Sequence, residues 1–146
     1  MRITPDTNVL VRAAVPVRDA TSEDGKQSAH AREWLRNATL IAVTLPTLCE
    51  FVWVLHRAYK YPKTEIATAI RKLCMGTSVV CDRQALEAGL IVLQAGGDFA
   101  DGVIAFAGRA IGGETFASFD QDAVRLLQRS GHDARIPGEE TAAAGG

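Results

Sequence analysis

No run of apolar residues in this sequence is long enough to span a bilayer, and no charged n-region followed by an apolar h-region opens it. Membrane insertion and secretion are therefore not expected, and a cytoplasmic location is. Cysteine is scarce. Cys49, Cys74 and Cys81 are odd in number, form no C-x-x-C pair and sit among apolar residues. That pattern argues against a disulfide framework and a zinc site and predicts buried, reduced thiols. The histidines, His30, His56 and His132, are isolated, with no two at metal-ligand spacing. Neither sign of charge dominates: 16 Lys and Arg stand against 17 Asp and Glu, a formal net charge of −1. A bulk basic field is thus missing, and a nucleic-acid partner would need local patches or bound cations to meet its phosphates. No internal repeat and no interdomain linker interrupts the chain.

What is present is a chain of 146 residues, 47% apolar, which suits one domain with a core covered on both faces. Ile3 opens a very short strand that Pro5 must end, because proline cannot donate to a sheet ladder. Asp6 follows, and Thr7 and Asn8 are placed to satisfy the free amides of a helix running to Ala14. Pro16 to Gly25 reads as a polar loop, and 28–36 as a helix with Ala31, Trp34 and Leu35 on one face. Leu40 to Val43 suits a parallel strand buried on both sides. Pro46 lies in the first turn of the next helix, whose core stripe is Leu48, Phe51, Val52 and Leu55. A helix from Tyr61-Pro62 carries Ile66, Ala69, Ile70 and Leu73 at helical spacing and ends at Gly76. Thr77 to Cys81 is extended, Asp82 caps a helix through Leu93, and Gly96-Gly97 breaks it. Helix 99–110, strand 114–118, helix 121–129 and an edge strand at 134–136 complete the pattern. Strands alternating with helices predict an α/β fold with a mostly parallel sheet covered on both faces.

The acidic residues fall at special places in that pattern. Asp6 and Asp120 follow strands, Glu50 lies in the first turn of the helix after the second strand, and Asp98 and Asp101 open the helix after Gly96-Gly97. Ligands of open α/β sheets bind outside the carboxyl ends of the strands, so these acids are expected to converge on one rim. Each alone has a structural explanation: Asp6 and Asp120 as helix caps, Thr47-x-x-Glu50 as a capping box, Asp98-x-x-Asp101 as a weaker one. A cluster of like charges is costly unless a cation neutralises it, and oxygen-only ligands suit Mg²⁺ or Mn²⁺. Such ions activate water and offset charge on a phosphoryl group.

Asp6-Thr7-Asn8-Val9-Leu10, Glu50, Asp101-Gly102-Val103-Ile104-Ala105 and Ser118-Phe119-Asp120, in that order, resemble the motifs of PIN-domain ribonucleases, and most closely those of the VapC-type toxins of bacterial toxin–antitoxin pairs. The resemblance runs from Met1 to about Ile136. It implies a three-layer α/β/α domain over residues 1–137, followed by a flexible tail over 138–146. It also implies a Mg²⁺- or Mn²⁺-dependent endoribonuclease with a metal-activated water. Asp6, Glu50, Asp101 and Asp120 match the catalytic quartet, with Asp6, Asp101 and Asp120 on the metal. Asp98 matches an extra acid of the third motif, Asn8 a residue that helps fix the first Asp, and Ser118 the hydroxyl before Phe-Asp, where Thr is usual. Gly102 stands where Ala is usual. The implied partners are RNA, a cognate antitoxin and a second copy of the chain.

Two other readings compete. A receiver-type phosphoacceptor domain would want adjacent acids after the first strand and a late Lys. Here Thr-Asn follows Asp6, and no Lys occurs after Lys72. A PIN-like module that binds RNA without cutting is opposed by the intact quartet. Trp34, Trp53, Phe99 and Phe106 are expected in the core. Arg12, Arg57, Lys60 and Lys63 are candidates for phosphate contact, and the helices at 28–37 and 62–75 for a partner groove.

Overall fold

The computed structural model describes residues 1–139 and divides them into two compact units that meet in sequence at Asp82 and Arg83. The first unit contains β1 (Arg2–Ile3), α1 (Thr7–Ala14), α2 (Glu23–Asn37), β2 (Leu40–Ala42), α3 (Leu45–Arg57), α4 (Lys63–Cys74) and β3 (Val79–Val80). Its strands form one parallel sheet in the order β1-β2-β3, with Ile3 opposite Ile41 and Ile41 opposite Val79. Each step between neighbouring strands is a crossover through two helices, as parallel pairing requires. The sheet's buried middle is Ile41, and α3 supplies the expected stripe of Leu48, Phe51, Val52 and Leu55. In α4, Ile66 and Ile70 are buried as expected, while Ala69 and Leu73 are only half-buried.

The loop expected over Pro16 to Gly25 is shorter than that. Ser22 caps α2, its hydroxyl accepting from Gly25 N at 3.0 Å, and Glu23 and Asp24 favour the positive end of the helix dipole. Gly25 is forced by close approach: a Cβ there would overlap the Asp19 carbonyl oxygen and lie 2.7 Å from Ala20 Cα. The buried face of α2 is consequently small, formed by Gly25, Ser28 and Ala31. Trp34 and Trp53 are not core residues, being 52% and 60% exposed. In both helices a neighbouring stripe takes the buried face and turns the indole outward. All three cysteines are free thiols. Cys74 is buried and Cys49 and Cys81 are half-buried, with Cys81 Sγ 3.9 Å from Cys74 Sγ.

The second unit contains α5 (Arg83–Gln94), α6 (Phe99–Ala110), β4 (Phe116–Ala117), α7 (Gln121–Arg129) and β5 (Ala134–Arg135). The strands pair in parallel, Phe116 opposite Ala134. Helices α5 and α6 pack through Leu86, Leu90, Leu93, Phe99 and Val103, all buried, whereas Phe106 is half-buried. A second cluster joins Val92, Ala105, Val124, Leu127 and Ala134. The strands are parallel as expected, but their hydrogen bonds form two sheets, one in each unit, in place of one central sheet. Most are only two residues long, too short to carry the longer ladders the apolar runs suggested. The tail expected over 138–146 lies outside the described residues from position 140 onward. Among the described residues no helix is long and apolar enough to cross a membrane.

Candidate active site

In the first unit, Pro5 ends β1 and leaves Asp6 in extended conformation as the N-cap of α1, where its Oδ1 accepts from Thr7 N at 2.7 Å. The cap is therefore Asp6 itself, and neither Thr7 nor Asn8 performs that role. Thr7 is buried, 7% exposed, and its hydroxyl donates to Glu50 Oε2 at 3.0 Å. One residue thus holds two acids, Asp6 through its amide and Glu50 through its side chain. Asn8 is exposed and makes no hydrogen bond to Asp6, so the expected fixing of the first acid comes from Thr7 instead.

Glu50 is placed differently from its sequence expectation. Helix α3 begins at Leu45 with Thr44 as N-cap and has no acid in its first turn, so Glu50 lies in the second. The capping box of Thr47 and Glu50 does not form. Thr47 Oγ1 accepts from Thr44 Oγ1 at 3.1 Å, and Glu50 turns to Thr7, 43 positions away in sequence. A carboxylate that caps nothing and is oriented by a buried hydroxyl from another element is not explained by helix formation.

In the second unit, Asp98 is the N-cap of α6, its Oδ1 accepting from Ala100 N at 3.2 Å. Asp120 is the N-cap of α7, its Oδ1 accepting from Asp122 N at 3.0 Å and Ala123 N at 3.1 Å. Ser118 Oγ accepts from Asp120 N at 3.0 Å, so the hydroxyl picked out by the sequence fixes the turn that presents Asp120. Asp101 has no such task. Its backbone amide bonds to Asp98 O at 3.1 Å, but its carboxyl accepts no hydrogen bond. It is half-buried, and burial, with the negative charges of Asp98 and Asp120 adding to it, pushes its pKa up to about 6.

Capping and cation binding are compatible here. Asp6, Asp98 and Asp120 each spend Oδ1 on backbone amides, which fixes the carboxylate plane and leaves Oδ2 without a protein donor. Asp101 keeps both oxygens unengaged. Hard oxygen donors of this kind suit Mg²⁺ or Mn²⁺, and a cation near Asp101 would offset both the burial of its charge and the repulsion from Asp98 and Asp120. Among the described residues no three acidic, His or Cys side chains form a group that could enclose an ion. The residue missed in the sequence is Thr7. Its signal was a hydroxyl next to the first acid, and its partner could not be read locally. Of the basic candidates, Arg12 is taken up by Asp24 at 3.0 Å and Gln27 at 2.9 Å.

A family model described as PIN domain matches residues 3–127 of the chain. The match begins in β1, ends in α7 and takes in all five acids. No curated protein matches the chain.

Proposed function

Because the chain belongs to the PIN-domain family, a three-layer α/β/α nuclease-type fold that generally cleaves nucleic acid with divalent metal ions, we propose that it is a Mg²⁺- or Mn²⁺-dependent endoribonuclease, formed by residues 1–137 and acting as the toxin of a type II toxin–antitoxin pair. The single observation that carries the reading is Asp101: a half-buried carboxyl with no hydrogen-bond donor, raised in pKa by its burial and, beyond that, by two further carboxylates. A fold has no use for such a group, and a metal-binding nuclease does.

On this reading, which rests on the family's motifs, Asp6, Asp101 and Asp120 would be the ligands of the ion, and Asp98 adds negative charge beside Asp101. When bound, Mg²⁺ or Mn²⁺ acidifies a water and offsets charge building on the phosphoryl group. Glu50, its Oε2 fixed by Thr7, keeps Oε1 available to take a proton from the attacking water. Ser118 holds Asp120 in place through the backbone. Asn8, exposed in the first turn of α1, stands ready to meet substrate. The partners on this reading are RNA, a small antitoxin and a second copy of the chain, in the cytoplasm.

The test is cleavage of single-stranded RNA by the purified protein with Mn²⁺ and with excess EDTA, alongside Asp6→Asn and Asp120→Asn. Cleavage that needs metal and is lost in both variants is expected. Undiminished cleavage in EDTA would overturn the metal mechanism. Harmless expression of the intact chain in cells, with a monomeric mass in light scattering, would overturn the toxin assignment while leaving the nuclease in place.

A further inference from the structure

A groove of about 710 Å³ opens in the first unit directly beside Asp6. Pro5 and Val9 line one side; His30 and Trp34, four residues apart and so stacked along one face of α2, line the other. Its volume lies within the range of about 300–1,000 Å³ usual for ligand sites. Resting on the nuclease reading above, we propose that this groove is a nucleobase subsite, in which Trp34 stacks on an unpaired base of the RNA next to the bond that is cut.

The chemistry of the lining selects that ligand. Trp34 is 52% exposed, although its helix buries only small residues, so its indole face is displayed and not packed away. Base stacking on an exposed aromatic ring is sequence-tolerant and, together with backbone electrostatics, is a recurrent source of affinity for single strands. Besides Asp6 and Arg12, the polar side chains that line the groove are Thr4, Asn8, Gln27 and His30. Asn8 and His30 make no hydrogen bond, and Gln27 spends only its Oε1, on Arg12, keeping its amide N–H groups to give. Arg12 already pairs with Asp24, so a phosphate would have to displace that carboxylate to reach it. A flat, uncharged, hydrogen-bonding group between apolar walls is what this lining accommodates, and a base fits that description where a phosphate does not. The phosphate would stay at the mouth, on the side of Asp6.

Charge supports a nucleic-acid strand on this unit. Residues 1–82 hold eleven Lys and Arg against eight Asp and Glu, whereas the remainder holds five against nine. The near-neutral total of the chain therefore conceals a basic half, and the groove lies in it. A peptide segment carrying apolar side chains would fill the same walls but would gain nothing from that excess of positive charge.

The experiment uses the full chain carrying Trp53→Phe, so that Trp34 is the remaining tryptophan, in EDTA to prevent cleavage. Short single-stranded RNA is titrated in, and the same strand carrying one abasic position is titrated separately. Saturable quenching of Trp34 by the intact strand, weakened several-fold by the abasic one, is expected. Steady-state cleavage with Mn²⁺ should show KM raised about tenfold in Trp34→Ala with kcat largely kept, and recovery in Trp34→Phe; His30→Ala should raise KM less. RNA that is cut normally without quenching Trp34, or a KM unmoved by Trp34→Ala, overturns the subsite and leaves the nuclease standing. Quenching by RNA that the wild type never cuts sustains the subsite and overturns the nuclease. Loss of a protein partner in Trp34→Ala with an unchanged KM for RNA gives the groove to a polypeptide and overturns the subsite.

Discussion

The Thr7 hydroxyl donates to Glu50 Oε2 at 3.0 Å, while the amide of the same threonine donates to Asp6 Oδ1 at 2.7 Å. Two acids from elements far apart in sequence are thus set by one buried residue. Thr7→Val keeps the shape of the side chain and removes only the donor. Glu50 is exposed, so the loss in stability should be modest, about 1 kcal/mol. Turnover should suffer more, because a carboxylate free to swing is misplaced for proton transfer. We expect kcat to fall about tenfold to a hundredfold with KM little changed, and Thr7→Ser to restore most of it. Equal kcat in Thr7→Val and the wild type would reduce this bond to a structural detail.

The raised pKa of Asp101 has a definite consequence for stability. Its carboxyl titrates at about 6 in the folded chain against an ordinary 3.8. Between those values the folded state holds a proton that the unfolded state has released. Without metal, stability should therefore fall as pH rises through roughly 4 to 6 and remain lower above that window. Asp101→Asn removes the titration. Thermal melts in EDTA should show the variant more stable than the wild type above about pH 7 and level with it near pH 4. A variant less stable at neutral pH would mean that the charged carboxylate supports the fold.

The caps at Asp6, Asp98 and Asp120 were legible because capping is local: an acid after an extended residue and before a helical run satisfies amides within three positions. The stripe of Leu48, Phe51, Val52 and Leu55 was legible for the same reason, as periodicity in one helix. The orientation of Trp34 was not. Spacing placed it on a face with Ala31, but Gly25, Ser28 and Ala31 bring their side of α2 close to its neighbours and the indole is left outside. Glu50 shows the limit most sharply. Thr47-x-x-Glu50 satisfies the pattern of a capping box, yet the helix starts earlier and a hydroxyl 43 positions away takes the carboxylate. Sequence patterns report on neighbours along the chain, whereas a site is made by neighbours in space.

Gly102, next to Asp101, is held by packing. A Cβ there would overlap the Ala88 carbonyl oxygen and stand 2.9 Å from Gly89 Cα, so α6 can approach α5 only with glycine at this crossing. Helix propensity alone would favour Gly102→Ala by about 1 kcal/mol. Overpacking against backbone, which cannot rotate aside, should outweigh it, for a net loss of about 1–3 kcal/mol in denaturant melts. The same strain would shift the first turn of α6 and with it Asp98 and Asp101, so Mn²⁺ affinity should fall too. A more stable Gly102→Ala protein would show that the helices can part without cost.

Metal should stabilise the protein, and the pattern across variants tests whether acids from both units serve one ion. A ligand that binds only the folded state adds RT ln(1 + [L]/Kd), about 2.7 kcal/mol at a hundred times Kd. Mn²⁺ should therefore raise the wild-type Tm clearly above its value in EDTA. Asp101→Asn removes the negative charge and one of the two unengaged oxygens, and should lose most of that shift. Asp6→Asn lies in the other unit and keeps an amide oxygen able to cap α1, so its fold should survive. If Asp6 and Asp101 bind the same ion, the two variants should lose the shift to a similar degree, and the double variant should lose little more than either. If each unit bound metal by itself, the losses would add, because distant independent sites are additive. If the acids were only caps, all four proteins would ignore Mn²⁺ alike. Melts of the four proteins across a Mn²⁺ series separate these outcomes, and a wild-type Tm unmoved by Mn²⁺ would remove the metal from the mechanism.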